Sequence, residues 1–421
     1  MRSSKMPWAG LGLVVAACGG GGDLAWEGTI VDSAGIQVVK NTGVGLWAPE
    51  DAWTFAEEVR IGTAEGEPEY QFGQINAGGS IDVASDGRIV VLDAQGQHIK
   101  VFTADGTYER TIGGPGGGPG EIGQGGQSAV LVAPGDTVFL GDFGNQRVNL
   151  YRMDGTFIRS FPLNLADGIP FRWETTANGR IVAQLRRLAF PGSTAPPDTM
   201  DAIVVKNLDG TTGDTLLRIT SGKTVSFSGG APEWFLFSPE PLWSTWGDRL
   251  LVAVNDQYRI SVRSPVGSVE RIVEMPFTLD PVTEADQATM KDGFQKLLLA
   301  QGVPPQIATQ LVQSRLHFAP NYPAFAQMLE GPTGAILVQL IQPISRLSPE
   351  ERESFDIQSG SLGSRKWDVF DRQGRYLGAV EMPLRFQPVE FKGDKIYGVQ
   401  RDDLDVQYVV VLRVERGDET T

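Results

Sequence analysis

The chain opens one turn-and-strand unit six times, and this repeat limits its fold more than any other feature. Each opening is a glycine followed two or three residues later by an aliphatic residue. The six glycines that open these units are Gly87, Gly135, Gly179, Gly247, Gly334 and Gly393. Glycine reaches the positive φ that hairpin turns require. The segments between the turns are β-branched and aliphatic, which favours strands.

The second half of the unit also recurs, as an apolar residue followed by glycine seven positions later. The five pairs of this kind are Ile99/Gly106, Val148/Gly155, Ile203/Gly210, Ile260/Gly267 and Trp367/Gly374. Turn, strand, turn and strand at this spacing give a four-stranded antiparallel sheet, which needs neighbours on both faces. Stacking such sheets around an axis predicts an all-β fold, a six-bladed β-propeller with a small helical insertion, over residues 53–416.

The last unit ends after its third strand, near Val414, and a spare strand stands at the other end of the chain. That strand, residues 57–62, resembles the outer strand of the first full unit, residues 109–113. We therefore predict that the N-terminal strand completes the last blade and removes its open edge. Deletion through Gly62 should expose that edge, whereas deletion only to Trp47 should be far milder.

The run Gly-Arg-Ile-Val-Val-Leu-Asp from Gly87, followed by Ile-Lys-Val-Phe from Ile99, resembles NHL-type propeller repeats. The glycine-rich connector at residues 112–121 is typical of that group. The segments at residues 31–41, 391–399 and 405–411 resemble bacterial six-bladed propeller lipoproteins. The resemblance implies the propeller fold and an envelope location, and it says little about function.

The spacings between the opening glycines, 48, 44, 68, 87 and 59 residues, place insertions in the later blades. The largest, residues 281–318, is helical in pattern. Thr283 begins a capping box, and Met290, Phe294, Leu297 and Leu298 follow at helical spacing. These helices either pack on the propeller rim or act as a lid or docking element.

The N-terminus has the pattern of a bacterial lipoprotein signal, residues 1–18. Two basic residues and a short apolar stretch lead to Val-Ala-Ala-Cys, which ends at Cys18, the only cysteine. The apolar stretch is too short to span a bilayer. We predict a lipid on Cys18, a tether and N-terminal β segment at residues 19–52, and a tail at residues 417–421. An ordinary secretory signal is the alternative. Gly19 in place of aspartate implies the outer membrane, or otherwise the periplasmic face of the envelope.

The formal net charge of −15 argues against nucleic acid as a partner, because an acidic chain repels phosphate backbones. Only two histidines are present, so a three-histidine zinc site cannot form.

Several polar residues stand at positions where chemistry is conceivable, and each has a plainer structural interpretation. Asp93 and Asp142 hold equal positions in two blades and are expected to cap turns. His98 is expected to be an exposed strand residue, and His317 to be structural. The stretch at residues 113–126 is expected to be a connector rather than a phosphate cradle. The acidic cluster at residues 402–405 is expected to be a solvated turn.

These observations predict a non-catalytic scaffold in the cell envelope that binds a protein or carbohydrate ligand as a monomer. The candidate binding loop carries Trp234, Phe235 and Phe237, in a segment rich in proline and glycine. The alternative is a propeller enzyme such as a lactonase, lyase or sugar dehydrogenase with calcium in its channel. No cofactor or catalytic residue is predicted. Calcium is the one metal whose binding is kept as a possibility, under the enzyme alternative.

Overall fold

The computed structural model describes residues 26–416, apart from residues 77, 125–127, 188–199, 223–224, 229–230 and 354–362. Six sheets stand around a central axis, and the innermost strands of neighbouring sheets contact one another in a closed ring. The chain is a six-bladed β-propeller, as the six opening glycines predict.

The N-terminal strands are β1 (Thr29–Ser33), β2 (Ile36–Lys40) and β3 (Thr54–Ile61). The first blade consists of β4 (Ile81–Val83), β5 (Ile89–Asp93), β6 (His98–Phe102) and β7 (Tyr108–Ile112). The second consists of β8 (Ala129–Ala133), β9 (Thr137–Asp142), β10 (Arg147–Arg152) and β11 (Phe157–Pro162). The third consists of β12 (Ile169–Thr175), β13 (Ile181–Arg186), β14 (Met200–Lys206) and β15 (Thr212–Thr220).

Two strands of the insertion follow, β16 (Val225–Ser228) and β17 (Ala231–Leu236). The fourth blade consists of β18 (Pro241–Trp246), β19 (Arg249–Val254), β20 (Arg259–Arg263) and β21 (Val269–Glu274). The insertion continues with α1 (Glu284–Ala300), α2 (Pro305–Arg315) and β22 (Leu316–Phe318).

The fifth blade consists of β23 (Phe325–Glu330), β24 (Ile336–Ile341), β25 (Gly363–Phe370) and β26 (Tyr376–Glu381), with α3 (Pro349–Glu353) between β24 and β25. The sixth blade begins with β27 (Phe386–Lys392), β28 (Lys395–Arg401) and β29 (Gln407–Glu415). Short 3-10 helices lie at Pro49–Asp51, Pro68–Tyr70, Leu165–Asp167, Pro332–Gly334 and Ile344–Arg346.

The N-terminal strand closes the ring. β3 pairs antiparallel with β29 and becomes the outer strand of the sixth blade, with Ile61 opposite Val409. The first and sixth blades also share a buried apolar cluster and a pair of hydrogen bonds between the Gln407 side chain and the Ile75 backbone, at 2.7 and 3.0 Å. The predicted closure is confirmed.

The residues before β3 form an N-terminal strap, residues 26–53, along the outer edges of the blades. β2 pairs parallel with β21, the outer strand of the fourth blade. Farther along, the Trp47 amide donates to the Leu377 carbonyl at 2.7 Å, beside the outer strand of the fifth blade. Trp47 also packs on the buried Trp53 with ring centroids 5.2 Å apart. The segment up to Trp47 therefore contacts the outer strands of two blades, so we expect its deletion to cost some stability, although less than deletion through Gly62.

The insertion is a small module of its own. The predicted capping box is present, since the Thr283 hydroxyl accepts from the Asp286 amide and the Asp286 carboxylate accepts from the Thr283 amide. Met290, Phe294 and Leu298 are buried, as their spacing predicts. The helices pack on a three-stranded sheet of β16, β17 and β22. Within the described residues, no α-helix is both long and apolar enough to cross a membrane.

Candidate binding site in the central channel

The inner strands of all six blades line a central cavity of about 810 Å³. Its wall includes the turns at Gly135, Gly179, Gly247 and Gly393, which are four of the six glycines that open the repeat. Because these turns join the first and second strands of each blade, the repeated motif of the sequence marks one mouth of the channel. Charged side chains from several blades meet in this cavity, among them Asp82, Glu174, Glu330 and Lys392.

Acidic side chains in the channel wall hydrogen-bond to backbone amides of the neighbouring blade. Asp82 on β4 accepts from the Val132 amide on β8 at 2.7 Å. Glu174 on β12 accepts from the Thr245 amide on β18 at 2.5 Å. These carboxylates therefore join adjacent blades, since each satisfies an inner-strand N–H that its own blade does not pair.

Glu330 on β23 also hydrogen-bonds to a neighbouring blade, but to the preceding one. Its carboxylate accepts from the Gly247 amide in the fourth blade at 2.6 Å. Burial raises the pKa of Glu330, and the amide hydrogen bond works against that rise. Three seams of the ring thus carry an acid that contacts the backbone of the next blade.

Two cations accompany these acids. The Arg172 guanidinium lies 2.5 Å from Glu174 and 5.5 Å from the centre of the Trp243 ring. The Lys392 ammonium lies 2.8 Å from the Glu390 carboxylate. Burial works to lower the pKa of Lys392, but the nearby carboxylates of Glu390 and Asp82 outweigh it, and the net shift is upward. The channel therefore presents both signs of charge.

The sequence prediction missed Asp82, Glu174, Glu330, Glu390 and Lys392. A signal for them exists, because each is a charged residue one to five positions before a turn glycine. Such a residue lies on an inner strand, close to the turn at the mouth of the channel. Among the described residues, no group of three or more His, Cys, Asp or Glu side chains is arranged to hold a metal ion.

The equivalent aspartates cap turns, as expected. Asp93 accepts from the amides of Gly73, Gln74 and Gly96 at 2.9 to 3.0 Å. Asp142 accepts from the Gly123 and Asn145 amides at 3.1 to 3.2 Å.

The aromatic residues of the candidate binding loop lie in a different setting from the one predicted. Trp234 and Phe235 belong to β17, in a hairpin with β16, so the segment is not an irregular surface loop. Trp234 packs edge-on against Phe294 of α1 at 4.9 Å. Phe237 is only 3% exposed and lies 4.4 Å from the Tyr322 ring. Phe237 is therefore buried, whereas Trp234 and Phe235 are half-buried, and these contacts show that the three rings pack within the insertion and against its neighbours.

The two histidines lie apart. His98 is half-buried, and its Nε2 lies 3.7 Å from Asp93. Burial lowers the pKa of His98, with Asp93 opposing the shift. His317 stacks on Phe235, with ring centroids 4.8 Å apart. His98 is therefore a strand residue, as expected, but it is half-buried rather than exposed, and His317 has the structural contact expected of it.

The glycine-rich connector presents carbonyl oxygens to the protein, not amides to an anion. Arg147 donates to the carbonyls of Gly117, Gly118 and Glu121 at 2.6 to 3.0 Å. A phosphate cradle needs converging N–H groups. Residues 113–124 instead direct backbone carbonyl oxygens at Arg147, and these oxygens accept hydrogen bonds from its guanidinium.

The acidic cluster near the C-terminus forms a turn. Asp402 accepts from the amides of Leu404 and Val406, both at 2.9 Å. Arg385 and Arg401 pair with Asp403 and Asp405 at 2.7 and 2.6 Å. The carboxylates are therefore engaged within the turn, as the solvated-turn interpretation expects. Cys18, with the rest of the signal, lies outside the described residues.

Comparison with known proteins agrees with the architecture. Residues 74–166 match the profile of a protein family described as a 6-bladed beta-propeller. No curated protein sequence matches the chain significantly. A Bacteroides fragilis protein thought to be exported is 11% identical, with a TM-score of 0.51, covering 90% of this chain and 100% of its own.

Two further solved structures are similar more distantly. A member of the duf4221 family from Bacteroides vulgatus is 10% identical, with a TM-score of 0.47, and 87% of this chain and 99% of that one are covered. Virginiamycin B lyase from Staphylococcus aureus is 11% identical, with a TM-score of 0.41, and the coverage is 86% and 99%. At these identities the likeness concerns the fold alone.

Proposed function

We propose that this protein is a lipid-anchored propeller of the bacterial cell envelope that binds a polar ligand in its central channel without transforming it. The observation that carries the proposal is the use of the channel acids. Asp82, Glu174 and Glu330 each accept a backbone amide of a neighbouring blade. A carboxylate held in this way is a structural acceptor, and moving it to serve a substrate would leave a buried amide unpaired.

The ligand that suits the channel is rich in hydroxyl groups, and we assign it to the carbohydrates. The wall combines donors and acceptors, with Arg172, Gln327, Gln387 and Lys392 all lining the cavity. A cavity of about 810 Å³ falls within the usual range for small-ligand sites, roughly 300–1,000 Å³. Side chains of both hydrogen-bonding types match hydroxyls, which donate and accept alike.

Envelope anchoring rests on the sequence around Cys18, where two small residues precede a lone cysteine. The acidic composition gives the chain no electrostatic attraction to anionic headgroups. An outer-membrane or periplasmic position would therefore depend on the lipid alone.

Calorimetric titration of the full chain with chitohexaose and cellohexaose tests the proposal. We expect saturable binding of at least one sugar, recovered intact by chromatography. Gln327→Ala and Gln387→Ala should each weaken binding about fivefold, since a lost hydrogen bond is worth about 1 kcal/mol. Gln301→Ala, at the exposed residue that directly follows α1, is the matched control and should change nothing.

Three results would contradict the proposal. The first is that neither sugar binds. The second is that neither channel variant changes the binding. The third is that the sugar is recovered as shorter or oxidised products. The last result would favour a propeller enzyme.

A further inference from the structure

The inner strand of the third blade presents an aromatic ring to the central channel. Phe171 on β12 lines the cavity and is 39% exposed, although phenylalanine is usually buried. Trp173 and Phe391 also line the cavity, but each packs into an apolar cluster between two blades. Phe171 belongs to neither cluster, so the packing of the blades does not account for a ring at this position.

A β-bulge sets the direction of this side chain. Phe171 is the extra residue of a bulge between Pro170 and Arg172. The inner strands β23 and β27 carry bulges of the same kind, and their extra residues, Ala326 and Val389, line the same cavity. A bulge interrupts the alternation of side chains along a strand and redirects its extra residue. Three inner strands therefore present an apolar side chain to a channel that is otherwise rich in polar groups.

A buried arginine fixes the Phe171 ring from one side. The Arg186 guanidinium lies 4.7 Å from the centre of the ring, and Arg186 is only 7% exposed. The Asp201 carboxylate accepts from Nε of Arg186 at 2.9 Å and from Nη2 at 2.7 Å. Asp201 also accepts from the Gln184 amide and the Ser221 hydroxyl, both at 2.6 Å. The guanidinium therefore covers one face of the ring, and the opposite face is the one left for a ligand.

The wall opposite Phe171 carries side-chain amides. The inner strands contact one another in blade order, so the third blade stands opposite the sixth across the ring. Gln387 on the sixth blade and Gln327 on the fifth line the cavity near the starts of their strands, as Phe171 does on the third. Since the inner strands run toward the mouth marked by the turn glycines, these three residues lie toward the other end of the channel. An aromatic ring thus faces groups that both donate and accept hydrogen bonds.

We propose that Phe171 is the stacking platform for a pyranose ring of the ligand, and that Gln327 and Gln387 bind hydroxyl groups of the same sugar. A pyranose has an apolar face of C–H groups and an edge of hydroxyl groups. The flat ring of phenylalanine covers the apolar face, and burial of the two surfaces against each other is favourable in water. This inference rests on the proposed carbohydrate function and adds the residue that orients the sugar. Because Arg186 holds the platform in place, little side-chain freedom is lost on binding.

Calorimetric titration of the full chain with cellohexaose and chitohexaose measures the contribution of Phe171. We expect Phe171→Ala to weaken binding about tenfold, which is the size of effect expected when a stacked ring is lost. Phe171→Tyr keeps the ring and should stay within about twofold of the wild type. Phe277→Ala is the matched control and should leave the affinity unchanged, because that ring is 41% exposed but lines a different cavity.

Saturation-transfer NMR of the wild type with the bound sugar is a second measurement, and it does not require Phe171→Ala to fold. Saturation of the aromatic protons of the protein should pass mainly to the C–H protons on one face of a sugar ring. If a sugar binds and Phe171→Ala binds it as tightly, or if saturation favours neither face of the sugar, the platform is refuted and the proposed function stands. If the wild type binds neither sugar, both are refuted.

Discussion

The side-chain amide of Asn41 donates to the backbone carbonyl of Gly374 at 3.0 Å, across 333 positions of sequence. The same side chain donates to the Glu274 carbonyl at 3.1 Å and accepts from the Tyr376 amide at 2.8 Å. Asn41 is only 6% exposed. One residue of the strap thus ties the outer strands of the fourth and fifth blades to each other.

Replacing Asn41 by alanine should lower the free energy of unfolding by about 2–4 kcal/mol, because several buried backbone groups lose their partner at once. Guanidinium denaturation followed by circular dichroism measures it. Asn207→Ala, at an exposed turn, should cost under about 1 kcal/mol. Equal losses in the two variants would show that the strap contacts contribute no stability of their own.

Deleting the chain through Gly62 should lower Tm and cause association, because β29 loses its partner β3 and presents an open edge. Light scattering after size exclusion detects the association. Deletion to Trp47 should lower Tm without association, since it removes Asn41 but leaves β3 paired. A monomeric longer truncation with the Tm of the intact chain would contradict ring closure.

Exchanging Trp234 and Phe235 for serine should destabilise the insertion, because both rings pack against its other elements. Phe237→Ala should cost about 3–5 kcal/mol, since its side chain is buried against Tyr322. Thermal unfolding and limited proteolysis measure both effects. A stable double-serine variant that fails to bind a partner recognised by the wild type would instead restore the binding role.

Cys18→Ser should release the protein from membranes, because the thiol that accepts the lipid is absent. Fractionation of cells expressing the full chain, with immunoblotting, measures the change. Ser4→Ala in the same signal is the control and should leave the protein on membranes. A Cys18→Ser protein that stays with the membrane would refute lipidation.

The ring was predictable from sequence because its determinants are local. Turn glycines such as Gly87 and Gly393 adopt positive φ, 88° and 65°, and recur with each blade. The closing strand was predictable because residues 57–62 repeat the pattern of an outer strand that the last unit lacks.

The channel acids were not predicted, because the partner of Asp82 or Glu330 is an amide of another blade. Which amide lies opposite depends on how the sheets twist against one another. The misplacement of Trp234 has a more specific cause. Pro232 argues against a central strand, yet β17 pairs with β22 only from Trp234 onward, so the missing N–H of Pro232 is not needed there.

The pairing of β3 with β29 also fixes the order in which the protein can be completed. β3 is synthesised before any blade, and its partner is the last strand to be made. β3 therefore stays without its partner until β29 has been made. Loop closure over that sequence distance is slow, and an unpaired strand is prone to aggregate meanwhile. We therefore expect the newly synthesised chain to need protection of β3 until the sixth blade is in place.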